Sequence, residues 1–201
     1  MLYKSTVSKS TFKLLEQLLL IDEFSKLRLV GGTALSLQIG HRISVDLDLF
    51  GEVEFDSQIF NDFTKVQAIK KSTNINIFEI NDVKVDIVNY TYPWLESELN
   101  IDNIRLASLK DIAAMKIAAV TGRGSKKDFV DLFFLLKEFS FGKIIDFYKQ
   151  KYSDASIYLA LKSLVYFDDA DNDPPLNMLK DIPWQSIKEK IRKEVINYSV
   201  F

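Results

Sequence analysis

The spacing of apolar residues changes character near residue 108 of this 201-residue chain. Before that point the runs are short and often alternate; after it they recur at helical spacing. Residues 9–20 set Phe12, Leu15, Leu18 and Leu19 on one helical face, with Ser8 or Ser10 available as N-cap. "KLRLV" is a short strand that runs into Gly31-Gly32, and "TALSLQIG" is a helix that Gly40 can end. "RISVDLDLF" alternates. It predicts a strand with Ile43, Val45, Leu47 and Leu49 on one face and Arg42, Ser44, Asp46, Asp48 and Phe50 on the other. A helix is expected over residues 56–71, then a hairpin in which "NINIFEI" and "VKVDIVNY" flank a turn at Asn81-Asp82.

From Ser108 the segments "SLKDIAAMKIAAV", "KKDFVDLFFLLKEF", "FGKIIDFYKQKY", "ASIYLALKSLVYF" and "PWQSIKEKIRKEVINY" all carry helical periods, and "DDADNDPPLNM" is an acidic, proline-bearing loop. The expected class is α+β. A small mixed sheet with helices occupies residues 1–107, and a helical subdomain that completes the active site occupies residues 108–201.

Composition narrows the possibilities. The net charge of -2 gives no global positive field, so nucleic acid would need a local basic patch. With no cysteine, disulfides and thiolate metal sites are excluded. "LLEQLLLI" is interrupted by Glu16 and Gln17 and is too short to span a bilayer, so we expect a cytoplasmic protein without a membrane partner.

Candidate chemistry begins with the acids. On a strand, Asp46 and Asp48 point the same way, and two carboxylates held side by side repel each other. A divalent cation removes that penalty, and hard oxygen donors suit Mg²⁺ or Mn²⁺. Asp86, flanked by Val85 and Ile87, would join them if its strand lay alongside. Three convergent carboxylates support two-metal phosphoryl chemistry. Alone, each acid is equally compatible with a solvated strand face. Gly31-Gly32, between a strand and a helix, lets the backbone approach a phosphate closely, and Thr33 adds a hydroxyl. The turn matches neither G-x-G-x-x-G nor a Walker A sequence.

Together, G-G at 31–32, D-x-D at 46–48 and a lone Asp86 on a later strand resemble the signature of the nucleotidyltransferase superfamily. "GGTALSLQIGHRISVDLDLF" and "DIAAMKIAAVTGRGSKKDFVDLFFLL" are similar, more narrowly, to the AbiEii/AbiGii toxin family. The resemblance implies a minimal nucleotidyltransferase fold and Mg²⁺-dependent nucleotide transfer from an NTP, with pyrophosphate released. It also implies an RNA acceptor, tRNA above all, and the toxin half of a toxin–antitoxin pair with a cognate antitoxin. Carried over, Gly31, Gly32 and Thr33 match the phosphate turn. Asp46, Asp48 and Asp86 match the metal acids, and Lys116 and Asp131 match the lysine and aspartate of the helical motif.

Lys116 lies on a helix rich in alanine, from which it can snorkel or enter a site as a phosphate-neutralising charge. Asp131 would orient Lys116 or Lys127 through an ion pair. Asp128, one helical turn earlier, is as readily a first-turn acid. Arg42, Ser44 and Lys127 are further nucleotide-binding candidates, and Arg42 ranks above His41, the sole histidine, as a ligand contact. Two other readings keep the same fold: transfer to a protein or small-molecule hydroxyl, and a non-catalytic domain that binds a partner.

Overall fold

The computed structural model describes residues 1–54, 56–61 and 63–199. The chain divides into two compact units. One comprises Met1–Tyr92 with Ser97–Ala107, the other Pro93–Glu96 with the chain from Ser108 onward. The peptide thus passes between units three times, and the four residues from Pro93 to Glu96 belong with the helices.

In the first unit, α1 (Lys9–Leu19) starts at Ser8, whose side chain accepts from the Thr11 N–H. Leu14, Leu15, Leu18 and Leu19 form its buried stripe. β1 (Arg28–Leu29) leads into α2 (Gly31–Ile39), and Gly40, with φ +66°, closes that helix in the left-handed region. β2 (Leu47–Gly51), β3 (Val66–Lys70), β4 (Ile75–Ile80), β5 (Val83–Asn89), β6 (Leu99–Ile101) and β7 (Ile104–Leu106) complete one mixed sheet in the order β3-β4-β5-β2-β1-β7-β6. β2 lies parallel to β5 and antiparallel to β1, while β1 lies parallel to β7.

Leu47, Leu49, Val85, Ile87, Phe78 and Ile80 form the buried face of the sheet. Phe60 packs edge-on against both Phe24 and Phe78. Arg105 on β7 ties the edge down. Its guanidinium donates to the carbonyls of Leu19, Phe24 and Leu27, which holds the end of α1 and the following turn to the sheet.

Two expectations change. The helix expected over 56–71 is a short 3-10 turn at Ser57–Phe60 followed by edge strand β3 (residue 62 lies outside the described residues). All five residues of β3 are exposed, so no buried stripe existed for helical spacing to report; its pairing with β4 decides its conformation. The strand expected over Arg42–Phe50 begins only at Leu47, and the alternation fails before it. Arg42 and Ser44 are buried and Val45 is 64% exposed, the reverse of the expected faces. Loop contacts hold this segment instead: the Ser44 N–H donates to the Thr6 carbonyl, and Thr33 Oγ1 donates to the Asp46 carbonyl.

The Asn81-Asp82 hairpin forms with both turn residues at positive φ, 51° and 64°. A second two-residue turn, Asp102-Asn103 at φ 55° and 63°, joins β6 to β7.

The second unit contains α3 (Leu109–Gly122), α4 (Lys126–Leu135), α5 (Phe141–Lys151), α6 (Ile157–Ser163), α7 (Asp168–Asp171) and α8 (Trp184–Ser199). Asp111 and Lys151, both fully buried, pair at 2.8 Å. Asp111 also accepts from Ser108 Oγ and from the N–H groups of Leu95 and Glu96; Lys151 also donates to the Pro93 carbonyl. This satisfied network fixes Pro93–Glu96 to the helices. Among the described residues, no helix is long and apolar enough to cross a membrane.

Candidate nucleotidyl-transfer site

The register of the central strands brings two of the acids together. Asp48 on β2 and Asp86 on β5 are direct Cα partners in the parallel pair, so their side chains leave the same face of the sheet. Neighbouring strands lie roughly 4.8 Å apart, a spacing that lets two carboxylates share a cation. Leu47, Leu49, Val85 and Ile87, packed into the core on the opposite face, lock this register. Asp46 is half-buried just ahead of β2, and its backbone is fixed by Thr33 rather than by the strand ladder.

The glycine turn is shaped around these groups. Gly31 has φ +68°, and a Cβ placed on it would stand 2.2 Å from Asp48 Oδ2. A Cβ on Gly32 would stand 2.2 Å from Arg42 Nη2. Glycine is therefore required twice: the chain passes hard against the Asp48 carboxylate and then against the Arg42 guanidinium. The N-terminus of α2 carries no side-chain cap, because its N-cap is Val30. Its N–H groups and dipole suit an anion, and the buried Arg42 adds positive charge behind them. Thr33 is 1% exposed, and Ser44 Oγ lies 2.8 Å from its hydroxyl. Both side chains brace the loop that delivers Asp46. His41 is also fully buried.

The donor chemistry fits a hard divalent ion. Two carboxylates stand in register on one sheet face and a third lies close in sequence, a set of hard oxygen donors. The arrangement is not closed, however. Lys84 Nζ lies 2.7 Å from Asp86 Oδ1 and 2.8 Å from Oδ2, which puts an ammonium on that acid. Among the described residues, no three acidic or imidazole groups stand together as a metal-holding cluster.

The helical unit holds its own charge cluster. Lys116 Nζ lies 2.6 Å from Asp131 Oδ2 and 3.0 Å from Asp128 Oδ1, and both acids are fully buried. Asp128 also accepts from Arg123 and from Ser125 Oγ at 2.7 Å. Burial works to raise its carboxyl, but Lys116, Arg123 and Ser125 outweigh burial and hold it well below the usual carboxylate range. Ser125 begins α4 but spends its hydroxyl on Asp128 rather than on a backbone cap. Gly122 ends α3, and Gly124 turns the chain at φ +55°. Lys127 is half-buried in the first turn of α4.

Sequence reasoning missed two participants. Asp128 is the hub of the buried cluster, more than a helix-start acid. Lys84 stands two residues before Asp86 on the same strand face; an opposite charge at i and i+2 of a strand was the available signal.

Known proteins match this architecture. The family model described as "Nucleotidyl transferase AbiEii toxin, Type IV TA system" matches residues 13–93 and 67–198. An uncharacterized protein of Aquifex aeolicus (strain VF5) is 34% identical over 204 residues, covering 96% of this chain and 97% of its own length. Among solved structures, a candidate nucleotidyltransferase from Helicobacter pylori superposes with a TM-score of 0.59 at 16% identity, covering 94% of this chain and 95% of that one. MenT4, a nucleotidyltransferase toxin from Mycobacterium tuberculosis H37Rv, superposes with a TM-score of 0.58 at 14% identity, covering 96% and 86%.

Proposed function

Because this chain belongs to the AbiEii nucleotidyltransferase toxin family, we propose that it transfers a nucleotide from an NTP to an RNA hydroxyl, with tRNA as the acceptor, as the toxin of a toxin–antitoxin pair. The observation that carries the reading is the Asp48–Asp86 register with the glycine turn pressed against Asp48. Asp46, Asp48 and Asp86 would hold Mg²⁺ or Mn²⁺, which when bound neutralises triphosphate charge and favours the ionised form of a coordinated hydroxyl.

The chain's own groups supply the rest. The uncapped N-terminus of α2 at Gly31, Gly32 and Thr33 binds phosphate oxygens through backbone N–H groups. Arg42 reinforces that end of the helix with a fixed positive charge rather than an exposed contact, since it is 4% exposed. Thr33 and Ser44 keep Asp46 in place. The acceptor hydroxyl attacks the α-phosphorus, the bond to pyrophosphate breaks, and Asp86 takes the hydroxyl proton. Lys116 is proposed as a phosphate-neutralising cation; its ammonium is already paired with Asp131 and Asp128, so a phosphate would compete with two carboxylates for it. Lys127 is the remaining cation proposed for the nucleotide.

The test is transfer of label from α-³²P NTPs to total RNA in Mg²⁺, comparing the wild-type protein with Asp48→Asn. We expect loss of labelling by about 100-fold or more, the scale of losing one electrostatic contact to the transition state. Unchanged labelling in Asp48→Asn would sink the assignment, and label on protein instead of RNA would replace the acceptor.

A further inference from the structure

Lys84 has no part in the chemistry proposed above, yet it makes contact with both oxygens of Asp86, at 2.7 and 2.8 Å. Its side chain is 43% exposed and that of Asp86 is 20% exposed, so the lysine keeps part of its hydration while it holds the carboxylate. The same lysine has a second acidic neighbour. Glu79 on β4 is the direct cross-strand partner of Lys84 in the antiparallel β4–β5 pair, which puts both side chains on one face. Opposite Cβ atoms in such a pair stand about 4.5–5.5 Å apart, within easy reach of a lysine chain. Glu79 is exposed, so an ammonium moved there stays hydrated.

We propose that Lys84 is a built-in cation that occupies Asp86 until a divalent metal displaces it onto Glu79. This rests on the metal-dependent reading of the Asp48–Asp86 pair. The exchange involves no proton transfer and no covalent change. An ammonium of charge +1 leaves the carboxylate, a cation of charge +2 takes its place, and the lysine pairs with a different acid. Before exchange, Asp86 does not confront Asp48 as a bare charge, so the acids can keep their register without metal. The consequence is a metal site held below its intrinsic affinity, because binding must include moving the lysine. Lys84 is thus a positioning residue that sets metal affinity.

The experiment is Mn²⁺ titration of the full-length protein at fixed ionic strength without NTP, reading free Mn²⁺ by electron paramagnetic resonance. Exposed and half-exposed ion pairs contribute little, so the expected change is modest: Lys84→Met should bind Mn²⁺ roughly fivefold more tightly. Glu79→Gln, which removes the second acidic partner, should bind a few-fold more weakly. Lys84→Arg keeps the cation and should stay close to wild type. Lys4→Met removes an equal charge at the opposite end of the sheet, where Lys4 pairs with Asp102 in the β6–β7 turn, and should match wild type. Circular dichroism verifies that each variant folds. Equal affinities of wild type and either Lys84→Met or Glu79→Gln overturn the proposal, as does a Lys4→Met gain matching that of Lys84→Met. If wild type binds Mn²⁺ and transfers nucleotide but Lys84→Met is indistinguishable, this inference fails and the transfer reading stands. If neither binds Mn²⁺ with or without NTP, the metal reading fails and takes this inference with it.

Discussion

Replacing Gly31 by alanine separates the chemistry of the glycine turn from its contribution to stability. Gly31 has φ +68°, where an L-residue costs roughly 1–2 kcal/mol. The new Cβ would also meet Asp48 Oδ2 at 2.2 Å, so the oxygen must withdraw to the 3.4 Å of ordinary contact, a retreat of about 1.2 Å. Because the clash is with the end of a side chain, it relaxes at small cost in stability. Gly31→Ala should therefore lose about 1–2 kcal/mol in urea unfolding, nearly all from the backbone. Its effect on transfer should be larger. A displacement of about 1 Å at a reacting group costs on the order of 100-fold, or about 2.7 kcal/mol of barrier. Gly142→Ala is the control. Gly142 lies in α5 with its nearest neighbour, Tyr198, at 3.9 Å, so that variant should gain about 0.4–1 kcal/mol and transfer normally. The measurements are urea midpoints and labelled-NTP transfer to RNA on the same preparations. If Gly31→Ala keeps transfer within about twofold of wild type while losing the expected stability, the position of the Asp48 carboxylate does not govern the reaction.

Three other outcomes follow from the same geometry. Lys116→Met leaves Asp128 and Asp131 buried without their shared ammonium and should cost about 3–5 kcal/mol in urea unfolding; a loss below about 1 kcal/mol would refute the buried cluster. The Asp128 carboxyl is held below its ordinary value of 3.8 in the folded state, so the unfolded chain binds more protons in that range. Its contribution is full above about 3.8 and lost as pH falls toward the lowered folded value, so urea midpoints measured from pH 5 downward should fall less steeply in Asp128→Asn than in wild type. Asn103→Gly relieves a residue at φ 63° in the β6–β7 turn and should raise the melting temperature by about 1–2 °C; a fall would mean the asparagine side chain holds the turn.

What could be read from the residues alone was local. Ser8 starts α1 and Gly40 ends α2, because capping and positive φ depend on neighbours within one turn. The Asn81-Asp82 hairpin was legible for the same reason, and so was the helical spacing of the segments after Ser108 that form α3 to α8. The acids and the glycine turn could be named because D-x-D and G-G are contiguous in sequence. Their association could not, because it depends on β2 lying parallel to β5 across 38 residues of chain, with Asp48 opposite Asp86. Tertiary structure also overruled local pattern where no buried face existed to record it. The exposed strand β3 carries no burial stripe, and the segment from Arg42 to Asp46 is held by Thr6 and Thr33 instead of by a ladder. The sequence determined which chemical groups the protein owns and how each turn begins and ends. Only packing of Leu47, Leu49, Val85 and Ile87 on the far face of the sheet decided which of those groups meet, because burial fixes register and register fixes the neighbours of every side chain.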